Sequence, residues 1–197
     1  MRIVLASSSP SRRMILANAG VDPVIQPADV DEDALLASLQ DASPADAVAA
    51  LARAKAHAVA GQFHGDVVIG GDSMLLLDGR LQGKPHTEEA TVERWREQAG
   101  KVAQLLTGHC IVHRGEEFVE TTSTTVHFAA ASEADIRAYA ASGEPWQCAG
   151  AFTLEALGGW FIDRIEGDPS SVIGLSLPTV RRALYRFGLD ASAFWRS

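Results

Sequence analysis

This 197-residue chain lacks most of the features that would assign it to a class at a glance. No apolar run approaches the ~20 residues that a membrane-spanning helix needs, and Arg2 to Ala6 is too short for a secretory h-region, so a cytoplasmic location is expected. Cysteine is scarce. Cys110 and Cys148 show neither CxxC nor ligand-like spacing, which excludes a disulfide scaffold and leaves buried free thiols. Basic residues are outnumbered, 17 Lys and Arg against 25 Asp and Glu, and a net charge of −8 argues against a protein that coats a nucleic acid polymer. A small polyanion stays open, because about four or five cations gathered in one cleft can hold it while the outer surface remains acidic. The six histidines form no H-E-x-x-H or other metal pattern, so His109, His113 and His127 are expected as strand residues. No serine sits in a G-x-S-x-G elbow. Gly83-Lys84-Pro85 is no Walker A either: three residues rather than four separate Gly79 from Gly83, and proline follows the lysine. Repeats, low-complexity tracts and linkers are missing, so residues 1–197 read as one domain, long enough for a substantial core.

What is present begins at once. Ile3-Val4-Leu5-Ala6 suits a buried strand, Ser9 an N-cap, and Pro10 the first helical position. A helix that starts where a strand ends brings free N–H groups and its dipole to one point, together with the hydroxyls of Ser7, Ser8 and Ser9 and the guanidiniums of Arg12 and Arg13. That is a recipe for holding phosphate; a capped helix with a solvated basic first turn is the alternative. Gly20 would stop this helix, and Val24-Ile25 would form a short second strand.

Asp29-Val30-Asp31-Glu32-Asp33 reads as a solvated loop or part of a site. Ser43-Pro44-Ala45-Asp46 opens a long helix on which Val48, Leu51, Ala52 and Val59 define an apolar stripe. Lys55 falls in the middle of that stripe, while Arg53 and His57 point elsewhere. Either its stem snorkels to the helix edge or its ammonium enters a polar cleft. Val67 to Leu77 is apolar on both faces, as in a central strand, and turns back at Asp78-Gly79. Asp72 interrupts this strand after two glycines, so it is paired, metal-bound or stabilising a bulge. A helix is expected over Thr87 to Leu106, then a hairpin turning at Arg114-Gly115-Glu116, a short helix capped by Ser132 and a final helix over Pro178 to Phe187 that buries Val180, Leu184 and Phe187. The glycines and tryptophans between Gly143 and Gly167 suit a ligand wall or a packed loop. Early alternation of strand and helix, followed by an antiparallel middle, predicts an α/β fold with a mixed, partly antiparallel central sheet flanked by helices and two lobes around a cleft.

The order Ser7-x-Ser9-Pro10-x-Arg12 resembles the signature of the Maf family of nucleoside triphosphate pyrophosphatases, which have an ITPase-like fold. Further segments are similar to that family's motifs in the same order: Val30-Asp31-Glu32, Leu51 to Ala56, Gly70 to Met74, Gly83-Lys84-Pro85, Gly143-Glu144-Pro145 and Val172 to Leu175. The resemblance implies hydrolysis of a nucleoside triphosphate to monophosphate and pyrophosphate, a house-cleaning role with a tie to division arrest. The rival is a nucleotide-binding regulator of septum formation without turnover. It also implies roles: Asp72 as proton acceptor; Ser7, Ser9, Arg12, Arg13, Glu32, Lys55 and Lys84 around the substrate; Mg²⁺ or Mn²⁺ on Glu32 and Asp72. Asp72 as base and Asp72 as metal ligand both remain open, as does a homodimer. Ser11, Ser73 and Glu155 correspond to the family's specificity positions, and only Glu155 matches the branch that takes 7-methyl-GTP.

Overall fold

The computed structural model describes residues 1–196. Strand β1 (Ile3–Leu5) is buried throughout, and Ser9 ends the run by capping helix α1 (Pro10–Asn18), its side chain accepting from the Arg12 backbone N–H. Gly20, at φ 83°, stops the helix as expected. Strand β2 (Val24–Ile25) follows, then α2 (Glu32–Ser38), α3 (Pro44–Ala60), β3 (Val67–Leu77), β4 (Arg80–Gln82) and α4 (Glu88–Gln98). Next come β5 (Val102–His113), β6 (Glu116–Phe128) and α5 (Glu133–Ala141). Three 3₁₀ turns lead on to β7 (Ile162–Glu166), α6 (Pro169–Ile173) and α7 (Leu177–Arg186).

The sheet runs β2-β1-β3-β5-β6-β7, with β4 on β3. β1 is parallel to both β2 and β3, whereas β3–β4 and β6–β7 are antiparallel, so the mixed sheet is as the sequence predicts. The hairpin turns fall at Asp78-Gly79 and Arg114-Gly115, all four residues at positive φ, the type I′ geometry that matches strand twist.

One expected element is corrected. The helix capped by Thr87 stops at Gln98, not Leu106: Ala99 leaves helical geometry, Gly100 sits at φ 71°, and Val102 to Leu106 already belong to β5. Val102, Ala103, Gln104 and Leu105 alternate exposed and buried, a period of two that the helical reading passed over. Phe187, expected in the core, is only half-buried at the end of α7.

The chain forms two compact units. The first contains Met1–Asp72, Thr107–Thr122 and the segment from Gly174 onward; the second contains Ser73–Leu106 and Ser123–Ile173. In the first, small residues let α3 press directly on the sheet. A Cβ on Gly70 would lie 2.2 Å from the Ala52 carbonyl oxygen, and one on Gly108 would lie 2.5 Å from that of Val48. Gly70→Ala must therefore push α3 outward, at a cost at or above the ~1–3 kcal/mol of ordinary overpacking, and should lower both the denaturation midpoint and activity, since Lys55 rides on α3. An unchanged midpoint would show that the helix yields freely.

The second unit packs around Trp95, fully buried and edge-on to Phe128, Tyr139 and Phe161 at 5.5–5.6 Å. Its indole N–H donates to the Ala151 carbonyl at 2.7 Å, and the Gln98 amide donates to that of Gly150 at 3.1 Å. The core of this unit thus anchors the loop that leads to Glu155.

Candidate functional site

In the first unit, the break from β1 to α1 sets three serines at a helix N-terminus. Ser7 Oγ accepts from the Ser9 backbone N–H at 3.2 Å and from Arg12 Nη1 at 3.1 Å. Arg12 Nε donates to the Gly174 carbonyl at 2.8 Å. The guanidinium is thereby held in a buried position, where desolvation lowers its pKa against the opposing pull of Asp72 and Glu32. Arginine still keeps its charge there. Arg13, about 100° further round the helix, is exposed, and Ser11 is half-buried.

Lys55 lies on the buried stripe with Val48, Leu51, Ala52 and Val59, while Arg53 and His57 are exposed, as the wheel predicts. Its ammonium sits 2.7 Å from Asp72 Oδ1 and 2.8 Å from Glu32 Oε2. A buried lysine is tolerated here because two carboxylates meet it. The same contact decides Asp72, which is paired. Of the two glycines before it, Gly70 admits the backbone of α3, and Gly71 admits Arg12: a Cβ there would stand 3.3 Å from Nε. The acidic segment is a helix start, not a loop. Asp31 caps α2 by accepting from the Ala34 N–H at 2.9 Å, which points Glu32 at Lys55, while Asp29 and Asp33 stay exposed. Ser7, Arg12, Glu32, Lys55 and Asp72 thus form one group: two cations to hold an anion, beside two carboxylates that share a cation. Oxygen donors converging from α2 and β3 suit a hard divalent ion.

In the second unit, Ser73 is half-buried and Lys84 exposed on the Gly83-Lys84-Pro85 turn. The Arg94 guanidinium donates to the Gly83 carbonyl, the Gly150 N–H to the same oxygen at 3.4 Å, and the His86 N–H to the Trp146 carbonyl at 2.9 Å. The lysine turn is therefore stitched to the 3₁₀ turns. Cys148 marks the neighbourhood: burial pushes its thiol up to about 11, helped by Glu155 and Glu144 and opposed by Lys84. Glu155 is exposed, its carboxylate accepting from the Leu154 N–H at 3.1 Å.

Residue-level reading missed Glu144. Its carboxylate accepts from the Thr153 hydroxyl and from the N–H groups of Gly158 and Leu157 at 3.1 and 3.2 Å, closing residues 144–158 on themselves. A Cβ on Gly158 would lie 2.4 Å from the Thr153 carbonyl oxygen, so this part of the stretch is a packed loop. Only its Gly-Glu-Pro resemblance singled the glutamate out. Burial alone would raise the Glu144 carboxyl, but the hydrogen bonds outweigh it and leave the group below its ordinary value of 4.5. A carboxyl lowered on folding adds stability above its unfolded pKa and loses it as pH falls through the folded value. The Tm gap between wild type and Glu144→Gln should accordingly be widest at neutral pH and narrow on acidification below about pH 4.5. A gap constant across pH would place the loop's stability elsewhere.

A family model described as Maf-like protein matches residues 2–187. The chain is 70% identical over 195 residues to a protein of Corynebacterium aurimucosum named nucleoside triphosphate pyrophosphatase, covering 99% of this chain and 98% of that one. It is 68% identical over 197 residues to the protein of that name in Corynebacterium diphtheriae, covering all of both. Among solved structures it is similar to the Ham1 protein of Staphylococcus aureus, at 20% identity and a TM-score of 0.41 over 66% of this chain and 73% of that one.

Proposed function

The chain belongs to the Maf family, and on that premise we propose that it hydrolyses nucleoside triphosphates to the monophosphate and pyrophosphate. The observation that carries this is the group around Lys55, in which buried Arg12 and Lys55 sit beside Asp72 and Glu32 at the start of α1. The helix N-terminus with Ser7 and Ser9 offers N–H and O–H donors to phosphate oxygens, and the two cations take up charge that develops on the leaving pyrophosphate. Asp72, paired with Lys55, is placed to accept the proton of an attacking water. Glu32 and Asp72 would hold Mg²⁺ or Mn²⁺, which when bound neutralises phosphate oxygens. Lys84, with Arg13 in support, adds positive charge for the polyphosphate. Ser11, Ser73 and Glu155 are assigned to the base. The setting is the cytoplasm and the partner a nucleotide.

The test is a panel of common and modified triphosphates with Mg²⁺ or Mn²⁺ and product identification. Pyrophosphate plus monophosphate is expected; phosphate plus diphosphate, or no product, would overturn the reading.

For the base, an ionised carboxylate only accepts hydrogen bonds, and guanine's Watson–Crick edge offers two adjacent donors where uracil and thymine offer one. Glu155 therefore favours guanine-like triphosphates, methylated or not. Ser11 supplies no aromatic face for a cationic methylated base, so tolerance should be broad. Glu155→Gln should shift relative kcat/KM toward UTP or dTTP by about tenfold, or ~1.4 kcal/mol. A wild type that already prefers UTP would exclude Glu155 as the reader of the base.

A further inference from the structure

One side-chain cluster in the first unit has no part in the proposed chemistry. His57 of α3, Cys110 of β5 and Glu117 of β6 each bring a ligand atom within 4.8 Å of the other two. His57 Nε2 lies 2.8 Å from Glu117 Oε2. The His57 and Glu117 side chains are 52% and 30% exposed, whereas Cys110 is wholly buried, so the cluster runs from solvent down to a thiol. One imidazole nitrogen, one sulfur and one carboxylate oxygen make a donor set for a borderline cation, unlike the oxygen pair of Glu32 and Asp72. We propose that His57, Cys110 and Glu117 form a separate site for Zn²⁺, with three protein ligands and the fourth position taken by water. On binding, the Cys110 S–H proton passes to solvent and the sulfur lone pair to the metal. Burial, then Glu117, push the free thiol up to about 12, so the metal has to displace that proton. Arg53 now occupies Glu117, donating to its two oxygens at 3.0 and 2.5 Å, and the metal replaces that guanidinium. The site would clip α3 to the β5–β6 hairpin.

The experiment adds Co²⁺ to the full chain as a spectroscopic stand-in for Zn²⁺. A sulfur-to-cobalt charge-transfer band should appear, saturate near about one equivalent and be bleached by Zn²⁺, with Tm raised by either ion. Cobalt on Glu32 and Asp72 gives no such band. Cys110→Ser should abolish it and Cys148→Ser leave it unchanged, while His57→Gln, at an exposed position, should weaken binding at least about tenfold. Arg53→Gln should tighten binding by freeing Glu117. The proposal is overturned if the folded wild type gives no thiolate band, if the band follows Cys148, or if His57→Gln binds like wild type.

Discussion

Asp72→Asn should fold like the wild type and turn over at least ~10²-fold more slowly, the scale of losing a general base. Asparagine keeps the volume and an oxygen for the Lys55 ammonium, now 2.7 Å from Oδ1, so the strand and its contact survive. Lys55 also keeps Glu32 at 2.8 Å, which spares it an unpaired buried charge. Only the ability to take a proton, or to bind a cation as an anion, is lost. Pyrophosphate release under saturating substrate measures the first quantity, and circular dichroism checks the fold. Raising Mn²⁺ separates the two roles: recovery of turnover assigns Asp72 to the metal, and persistent loss assigns it to the proton. Near-wild-type activity would remove Asp72 from the mechanism.

Lys55→Met and Lys84→Met should weaken triphosphate binding alike, by roughly 1.5–3 kcal/mol each, as for a lost charge-assisted hydrogen bond, and monophosphate binding less. Their effects on stability should differ sharply. Lys55 and Asp72 side chains are 11% and 12% exposed, and removing the ammonium takes from Asp72 and Glu32 the cation that both contact directly. Breaking a buried pair costs ~3–5 kcal/mol; because Glu32 is half-exposed, the lower end is expected. Lys84 is exposed, so its replacement should leave the denaturation midpoint nearly unchanged. Equal losses for triphosphate and monophosphate at either position would show that the lysine does not read the β or γ phosphate. An unchanged midpoint for Lys55→Met would mean that Asp72 finds other partners.

The first unit's site was legible because its residues break local rules. A lysine on an apolar stripe and an aspartate inside a buried strand each demand a partner, and each is the other's partner. The cap at Ser9 and the proline after it are likewise local chemistry. Glu32 was harder to read, since four carboxylates within five positions also read as solvated surface, and only the cap at Asp31 brings one of them to Lys55. Glu144 and the His57–Cys110–Glu117 cluster were illegible for another reason: their partners are distant in sequence or are backbone N–H groups, which leave no spacing to find. The end of α4 was misread because the two-residue alternation from Val102 to Leu105 is short enough to pass for the tail of a helix, and Gly100 was the other sign against one.

The hydrogen bond from Arg12 Nε to the Gly174 carbonyl joins residues 162 apart. On a ribosome, the strand and helix that bear the arginine emerge well before the oxygen that accepts from its Nε. The Ser176 N–H that meets His109, and the Thr179 and Arg182 side chains that meet Glu120, belong to the same later stretch. A nascent or truncated chain ending before Gly174 therefore has every serine, lysine and carboxylate of the group around Lys55, yet it lacks the carbonyl that accepts from Arg12 Nε and leaves the guanidinium held from the Ser7 side alone among the bonds described above. The activity should switch on only once the segment from Gly174 onward has been made, and a premature stop before it should yield a product that is inert toward the cell's triphosphates rather than a weakly working fragment.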